Sequence, residues 1–279
     1  MANAEQLRWE SRAGKPAALA AFATIIFSVG SSIYVSSSLD ETPERDSTRQ
    51  LLEIRDAQPD VFLTGAALSA IASLLLIPVL LYLYKATKNR RAELPVAAFP
   101  LAIIGSVLLA IAAIVVQIDL SDTAKAFVDS GARTETRADD LIGERSVLAQ
   151  SLGLSGALAL AFATILISQS AMRAGLLSRF LGILGIVVGA VYVLGTLFPL
   201  GTDLVQLFWL LALGLIFLDR WPGGRGPAWE TGEAVEWPSA AQRREELLEA
   251  EEDPVPASTP ASEQAGRTRT SRKRKKKRR

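Results

Sequence analysis

The sequence predicts an all-α protein: a polytopic bundle of six transmembrane helices, with repeated helical hairpins as one reading of their order, followed by a mostly disordered cytoplasmic tail. Three observations lead there. Hydrophobic residues make up 49% of the 279 and charged ones only 21%, more apolar material than a single soluble core uses. The apolar residues fall in blocks of about 20, the length a helix needs to cross ~30 Å of hydrocarbon, and Asp, Glu, Lys and Arg stay out of their interiors. Finally, no block shows the ten-residue alternation of a membrane barrel, so helices that satisfy their own backbone groups are the spanning form.

The blocks divide the chain into a cytoplasmic N-terminal segment 1–15, a bundle over 16–221, and a tail 222–279. Span one, about 17–38, follows Arg8, Arg12 and Lys15. It is too long for the 7–15-residue core of a cleaved signal, and the leader before it contains Glu5 and Glu10, so it reads as a retained span. Span two, 62–84, contains Pro78, which removes a backbone donor and should kink the helix. Span three, 95–118, comes after a turn crowded with Lys85, Lys88, Arg90 and Arg91. In span four, 147–170, Gly153 and Gly156 join a run of alanines to leave one side nearly smooth; Gly182, Gly185 and Gly189 do the same in span five, 176–198. Close backbone approach replaces the hydrophobic drive between helices in lipid, so these five glycines are candidate packing positions. Span six, 203–219, includes Trp209.

Loop charge orients the bundle. The segments 39–60 and 119–146 each carry seven acids, against three and four bases, whereas 1–15, 85–94 and the Arg173/Arg179 turn are basic. Cationic loops resist translocation, which puts both termini in the cytoplasm and the protein in a bacterial inner membrane. A hairpin repeat is suggested by Leu63-Thr64-Gly65-Ala66 matching Leu154-Ser155-Gly156-Ala157, with further identities at the same offset. Helices rich in Ala, Leu and Gly also match by composition, and that alternative stays open.

The chain has no His and no Cys. That excludes thiol nucleophiles, disulfides, Cys/His zinc sites and histidine acid/base chemistry. A coupled transporter usually needs a carboxylate in mid-membrane, and the spans offer none. Their polar residues, Thr24, Ser28, Ser69, Ser73, Gln117, Gln150, Thr164, Ser168 and Gln169, are tolerable without function. Outside, Asp139, Asp140 and Glu144 could be read as a cation site, yet they alternate with Arg133, Arg137 and Arg145 as a solvated helix would. No catalytic, cofactor-binding or metal-ligating residues are therefore expected, and no cofactor.

After Trp221 the composition turns to Pro, Gly, Glu and Ser, and Trp221, Trp229 and Trp237, spaced by eight, are suited to anchoring at the cytoplasmic headgroup level. The chain ends in an unbroken basic run, Arg272, Lys273, Arg274, Lys275, Lys276, Lys277, Arg278 and Arg279, preceded by Arg267 and Arg269. Without those ten charges the net charge falls from +1 to −9. At about 1 kcal/mol per cation near an anionic surface, such a segment prefers phospholipid headgroups; nucleic acid, bound non-specifically, and the acidic stretch 245–253 compete for it.

Met172-Arg173-Ala174-Gly175-Leu176-Leu177-Ser178-Arg179-Phe180-Leu181-Gly182, with Asp219-Arg220-Trp221-Pro222-Gly223-Gly224 and Pro227-Ala228-Trp229-Glu230-Thr231-Gly232-Glu233, resembles actinobacterial multi-pass membrane proteins of unknown function over about residues 145–240. The resemblance implies six helices and offers no catalytic residues. The leading expectation is a non-enzymatic membrane scaffold or regulator, with lipid and protein partners or a second copy of itself. The alternative is a small-molecule or lipid transporter built from the hairpins.

Overall fold

A computed structural model describes residues 2–39, 47–143, 147–197, 203–222, 224–235 and 237. Among them all regular structure is helical: α1 (Ala2–Ser38), α2 (Thr48–Ala57), α3 (Pro59–Arg90), α4 (Ala98–Asp129), α5 (Glu135–Gly143), α6 (Val147–Arg173), α7 (Arg179–Leu197), α8 (Asp203–Phe217) and α9 (Pro227–Thr231). Four of these, α1, α3, α4 and α6, are long and apolar enough to cross a membrane, and the protein is membrane-embedded. The apolar helices α7 and α8 are shorter, at 19 and 15 residues. At 1.5 Å per residue α8 is about 22 Å long, less than a hydrocarbon core.

Two helices outrun the lengths their apolar blocks suggest. Helix α1 begins at Ala2 instead of near 17 and passes through Pro16. Ala, Glu, Gln, Leu and Arg before Pro16 are good helix formers, and Glu5 sits in the first turn, where the helix dipole favours an acid. Helix α4 continues past 118 to Asp129 because its last turns have something to pack on: Ala124 and Phe127 are fully buried against Leu52 of α2 and Ala138 of α5. Glu135, at the start of α5, accepts hydrogen bonds from the Thr48 and Arg49 amides and the Ser47 hydroxyl, and so caps α2 from another helix. Arg137 in turn donates to the carbonyls of Ala126 and Phe127 and closes the end of α4.

The six apolar helices close a ring among the described residues. Each packs on the next, α1 on α3, α3 on α4, α4 on α6, α6 on α7 and α7 on α8; α8 returns to α1, and α3 touches α6 across the middle. The α1 start, the α3–α4 turn, the α6–α7 turn, the α8 end and α9 lie together at one end, hereafter the basic end. Helices α2 and α5 cover the other.

Glycine sets how closely the ring is drawn. A Cβ on Gly156 would lie 2.9 Å from the Leu109 amide nitrogen, and one on Gly105 would lie 2.5 Å from the Leu160 nitrogen, so α4 and α6 meet backbone to backbone. In α7, Gly182 faces Met172, Gly185 faces Ser168 and the Trp209 indole, and Gly189 faces Ile165 and the Ala161 carbonyl. Gly153 has open space where its Cβ would stand and takes no part in this packing. Gly65 and Gly156, aligned by the hairpin match, each receive a side chain from the preceding long helix, Val35 of α1 and Leu108 of α4 respectively. Pro78 lies inside α3, which continues past it to Arg90.

The buried hydroxyls divide by partner. Thr24 and Ser73 donate to the carbonyls of Ala20 and Ser69 on their own helices. Ser31 reaches across to the Gly65 carbonyl at 2.8 Å and to the Ser69 hydroxyl at 2.9 Å, joining α1 to α3. Ser106, Thr164 and Ser168 are buried with no hydrogen-bond partner among the described residues.

These contacts predict opposite outcomes for two neighbouring glycines. Gly156→Val should cost about 1–3 kcal/mol, since Leu109 backbone would have to move, and Gly153→Val should stay within about 1 kcal/mol, the span of an exposed propensity change. The thermal midpoint of the detergent-purified protein measures both.

Candidate functional site

Charge is buried at the basic end. Arg90 closes the last turn of α3 with a side chain that is 0% exposed and pairs through both terminal nitrogens with Glu10 of α1, itself 3% exposed. Its remaining donors go to backbone carbonyls, Ala86 at 2.9 Å and Ala228 at 2.8 Å, and its guanidinium lies over the Trp229 ring, 5.6 Å from the centroid. A desolvated ion pair persists only when its other hydrogen-bonding capacity is filled, and here the backbone fills it.

The segment after α8 completes the cluster. Asp219 follows α8 in the left-handed conformation, φ 59°, its amide donating to the Ile216 carbonyl, and Arg225 turns back to donate to the carbonyls of Ile216 and Phe217 at the end of the helix. The Arg225 guanidinium also lies over the Trp229 ring, 4.9 Å from its centroid. The Trp229 indole donates to the Leu176 carbonyl at 2.9 Å, in the turn between α6 and α7. Gly175 in that turn has φ +76°, and any Cβ there would strike the Val235 carbonyl, so glycine is required on both counts. Tyr82 fills the centre: its ring meets Trp9, Phe217 and Trp229, and its hydroxyl donates to the Glu10 carbonyl at 3.1 Å. The packed unit runs to Trp237, and Trp229, read from sequence as a headgroup-level anchor, is 4% exposed inside the protein. Burial of its ring against Tyr82 and two guanidinium groups outweighs anything the lipid interface offers.

At the opposite end a pocket of about 610 Å³ opens between α1, α2, α3 and α4. Ser31 and Ser36 of α1, Arg55 of α2, Phe62 and Ser69 of α3 and Gln117 of α4 line it. Arg55 donates to the Gln117 side-chain oxygen at 2.7 Å and lies 4.2 Å over the Phe62 ring. A smaller pocket of about 260 Å³ at the basic end is lined by Arg173, Arg179, Leu177 and Trp237.

The candidate residues named from sequence meet different fates. Gly156, Gly182, Gly185 and Gly189 stand at helix contacts, and Gly153 does not. The basic run from Arg267 to Arg279 and the acidic stretch before it lie outside the described residues. Asp139 and Asp140 belong to the small α5, and no group of three His, Cys, Asp or Glu that could hold a metal occurs among the described residues. Sequence reasoning treated Glu10 as a leader acid, Arg90 as one more cytoplasmic cation and Gln117 as incidental. A signal existed for the segment that packs on Arg90: Gly224-Arg225-Gly226-Pro227-Ala228-Trp229 is too rich in special-conformation residues for an idle linker.

Removing Arg90 would leave the Glu10 carboxylate buried and unpaired. Arg90→Ala should therefore destabilise by about 3–5 kcal/mol, and adding Glu10→Ala should restore part of the loss. Trp229→Ala should instead free the post-α8 segment, read as rapid tryptic cleavage at Arg225 that the parent protein resists.

No curated protein and no solved structure matches this chain. The model of one family does, and its match covers residues 17–221, from the first apolar block to the end of the last. With that stretch making up most of its length, the chain belongs to the DUF4386 family, a domain of unknown function.

Proposed function

We propose that this is a non-catalytic, six-span protein of the bacterial cytoplasmic membrane, with both termini inside, that serves as a scaffold or regulator and holds a polybasic segment against anionic lipid. One observation supports it above the others. The segment that ends at Trp237 is clamped to the basic end by Arg90, Glu10 and Trp229, so the chain leaves it from a fixed point beside the loops rich in Lys and Arg. Tethering Arg272–Arg279 to that point through residues 238–271 raises its effective concentration at the adjacent headgroups without any further contact.

Six spans fit the closed ring. Helices α7 and α8 are short and apolar after their first residues, Arg179 and Asp203, and their partners α6 and α1 are membrane-length helices. Local thinning and tilt accommodate a short span at fractions of a kcal/mol per Å. An actinobacterial source fits the excess of Arg over Lys, 22 to 8. The alternative of a small-molecule or lipid carrier built from hairpin repeats is favoured by the pocket at the α2/α5 end; carriage also requires access to that pocket from the basic end.

Two measurements test this reading. In nanodiscs containing phosphatidylglycerol, trypsin should spare the tail at low salt and cleave it at high salt, where charges are screened; equal cleavage in phosphatidylcholine discs would remove the lipid role. The chain has no Cys, so single cysteines report topology cleanly. Ser130→Cys should react with an impermeant thiol reagent from outside intact cells and Ser11→Cys only after lysis, both sites being exposed.

A further inference from the structure

We infer that the pocket between the end of α6 and the start of α7 holds the headgroup of one anionic phospholipid, its phosphate between Arg173 and Arg179 and an acyl chain lying along the outer face of α7. The inference takes from the six-span reading only that α7 lies in the bilayer, and it takes nothing from the tail.

Charge selects the headgroup. Among the described residues that line the pocket, Arg173 and Arg179 are the ionised side chains and no carboxylate accompanies them. Other arginines at this end are spent within the protein, Arg90 on Glu10 and Arg225 on the last carbonyls of α8. Arg173 and Arg179 have neither an ion pair nor a hydrogen bond among the described residues. Arg179 also opens α7, a helix with no acid in its first turn, so a cation stands at the pole where a helix already carries about half a positive charge. A phosphodiester placed between the two arginines relieves that repulsion, and each guanidinium can offer it paired donors. The choline cation of a zwitterionic lipid would enter the same positive field, which sets an anionic lipid above it.

Shape selects the rest of the ligand. A volume of about 260 Å³ is smaller than the ~300–1,000 Å³ that encloses a whole small molecule, so the pocket takes a headgroup and leaves the chains outside. Met172, Leu177, Ile183 and the Trp237 ring supply its apolar lining, and tryptophan suits headgroup depth. Ile183 belongs to the pocket and to a stripe as well. Phe180, Ile183, Val187 and Leu194 are the large apolar side chains of α7 that stay exposed among the described residues, and their spacing puts them on one face. From Ile183 to Leu194 that face runs about 16 Å at 1.5 Å per residue, the depth of one leaflet in a ~30 Å core. Cations at the helix start with an apolar stripe leading away from them repeat the order of a lipid standing in its leaflet.

The test uses the full-length protein in nanodiscs with phosphatidylglycerol and phosphatidylcholine probes that carry the same diazirine-bearing acyl chain, labelled peptides being mapped by mass spectrometry. Phosphatidylglycerol is expected to label residues 183–194 roughly tenfold or more above phosphatidylcholine, and Arg173→Gln and Arg179→Gln should each lower that preference about fivefold, the change expected for one cation beside an anionic group. Both side chains are exposed, so the thermal midpoint should not move, which separates lost binding from misfolding. Equal labelling of α7 by the two probes would overturn the proposal and leave α7 in the bilayer, whereas α7 unlabelled by either would remove that placement as well. A preference that survives both substitutions together would also overturn it. Two other occupants would reveal themselves. Inorganic phosphate that removes the labelling at an ionic strength where chloride does not would assign the site to a free anion, and a severalfold gain on replacing the acids of 245–253 by their amides would assign it to that stretch of the chain. Either result overturns the lipid.

Discussion

One guanidinium holds the basic end together. Arg90 joins α1 through Glu10, its own helix through Ala86, and the segment after α8 through Ala228 and the Trp229 ring. The first helix and the segment after α8 therefore meet at a single side chain. Lys would not serve there: a point charge with three donors cannot pair in parallel with a carboxylate while reaching a carbonyl in the same plane and stacking on an indole. The aromatic group of Trp9, Tyr82, Phe217 and Trp229 packs around this pair and keeps it dry.

The two ends of the bundle solve different problems. At the basic end the chain must stop being membrane helix without exposing carbonyls to an apolar surround, and Arg225 does this for α8 as Arg137 does for α4 at the other end. At the α2/α5 end a small satellite core of Leu52, Ala124, Phe127 and Ala138 lets helices project beyond the apolar zone and form a rim. The pocket lies just inside that rim, so its entrance is shaped by polar helices and its depth by spanning ones.

How much of this was legible in the sequence follows from the range of the forces involved. Four membrane-length helices and the gathering of basic loops at one end are local or additive signals, and apolar block length with Lys/Arg counts reveals them. Four of the five glycines read as packing positions stand at contacts, while Gly153, nearly on the same face as Gly156 but one turn nearer the start of α6, meets nothing. Gly105, where α4 comes very close to α6, gives no stripe because it is an isolated glycine. The Glu10 to Arg90 pair and the inward turn of Trp229 were beyond sequence reasoning for a different reason: eighty residues separate the charges, and no periodicity connects positions on different helices. The composition after Trp221 resembled a linker, and only tertiary contact distinguishes a linker from a strap.

The closed ring also imposes an order on biosynthesis. Phe22 of α1 packs against Gly214 of α8, yet about 180 residues separate the end of α1 from the end of α8, on the order of ten to thirty seconds of translation. Throughout that interval the alanine-rich face of α1, Ala17, Ala18 and Ala21, has no permanent neighbour on the α8 side. The nascent protein therefore waits in the bilayer as an open arc whose first helix is held by α3 alone. Its final seam forms only when the ribosome has delivered the last apolar helix, so a chain truncated before α8 leaves the translocation machinery with its founding helix half unpartnered, a natural mark for membrane quality control.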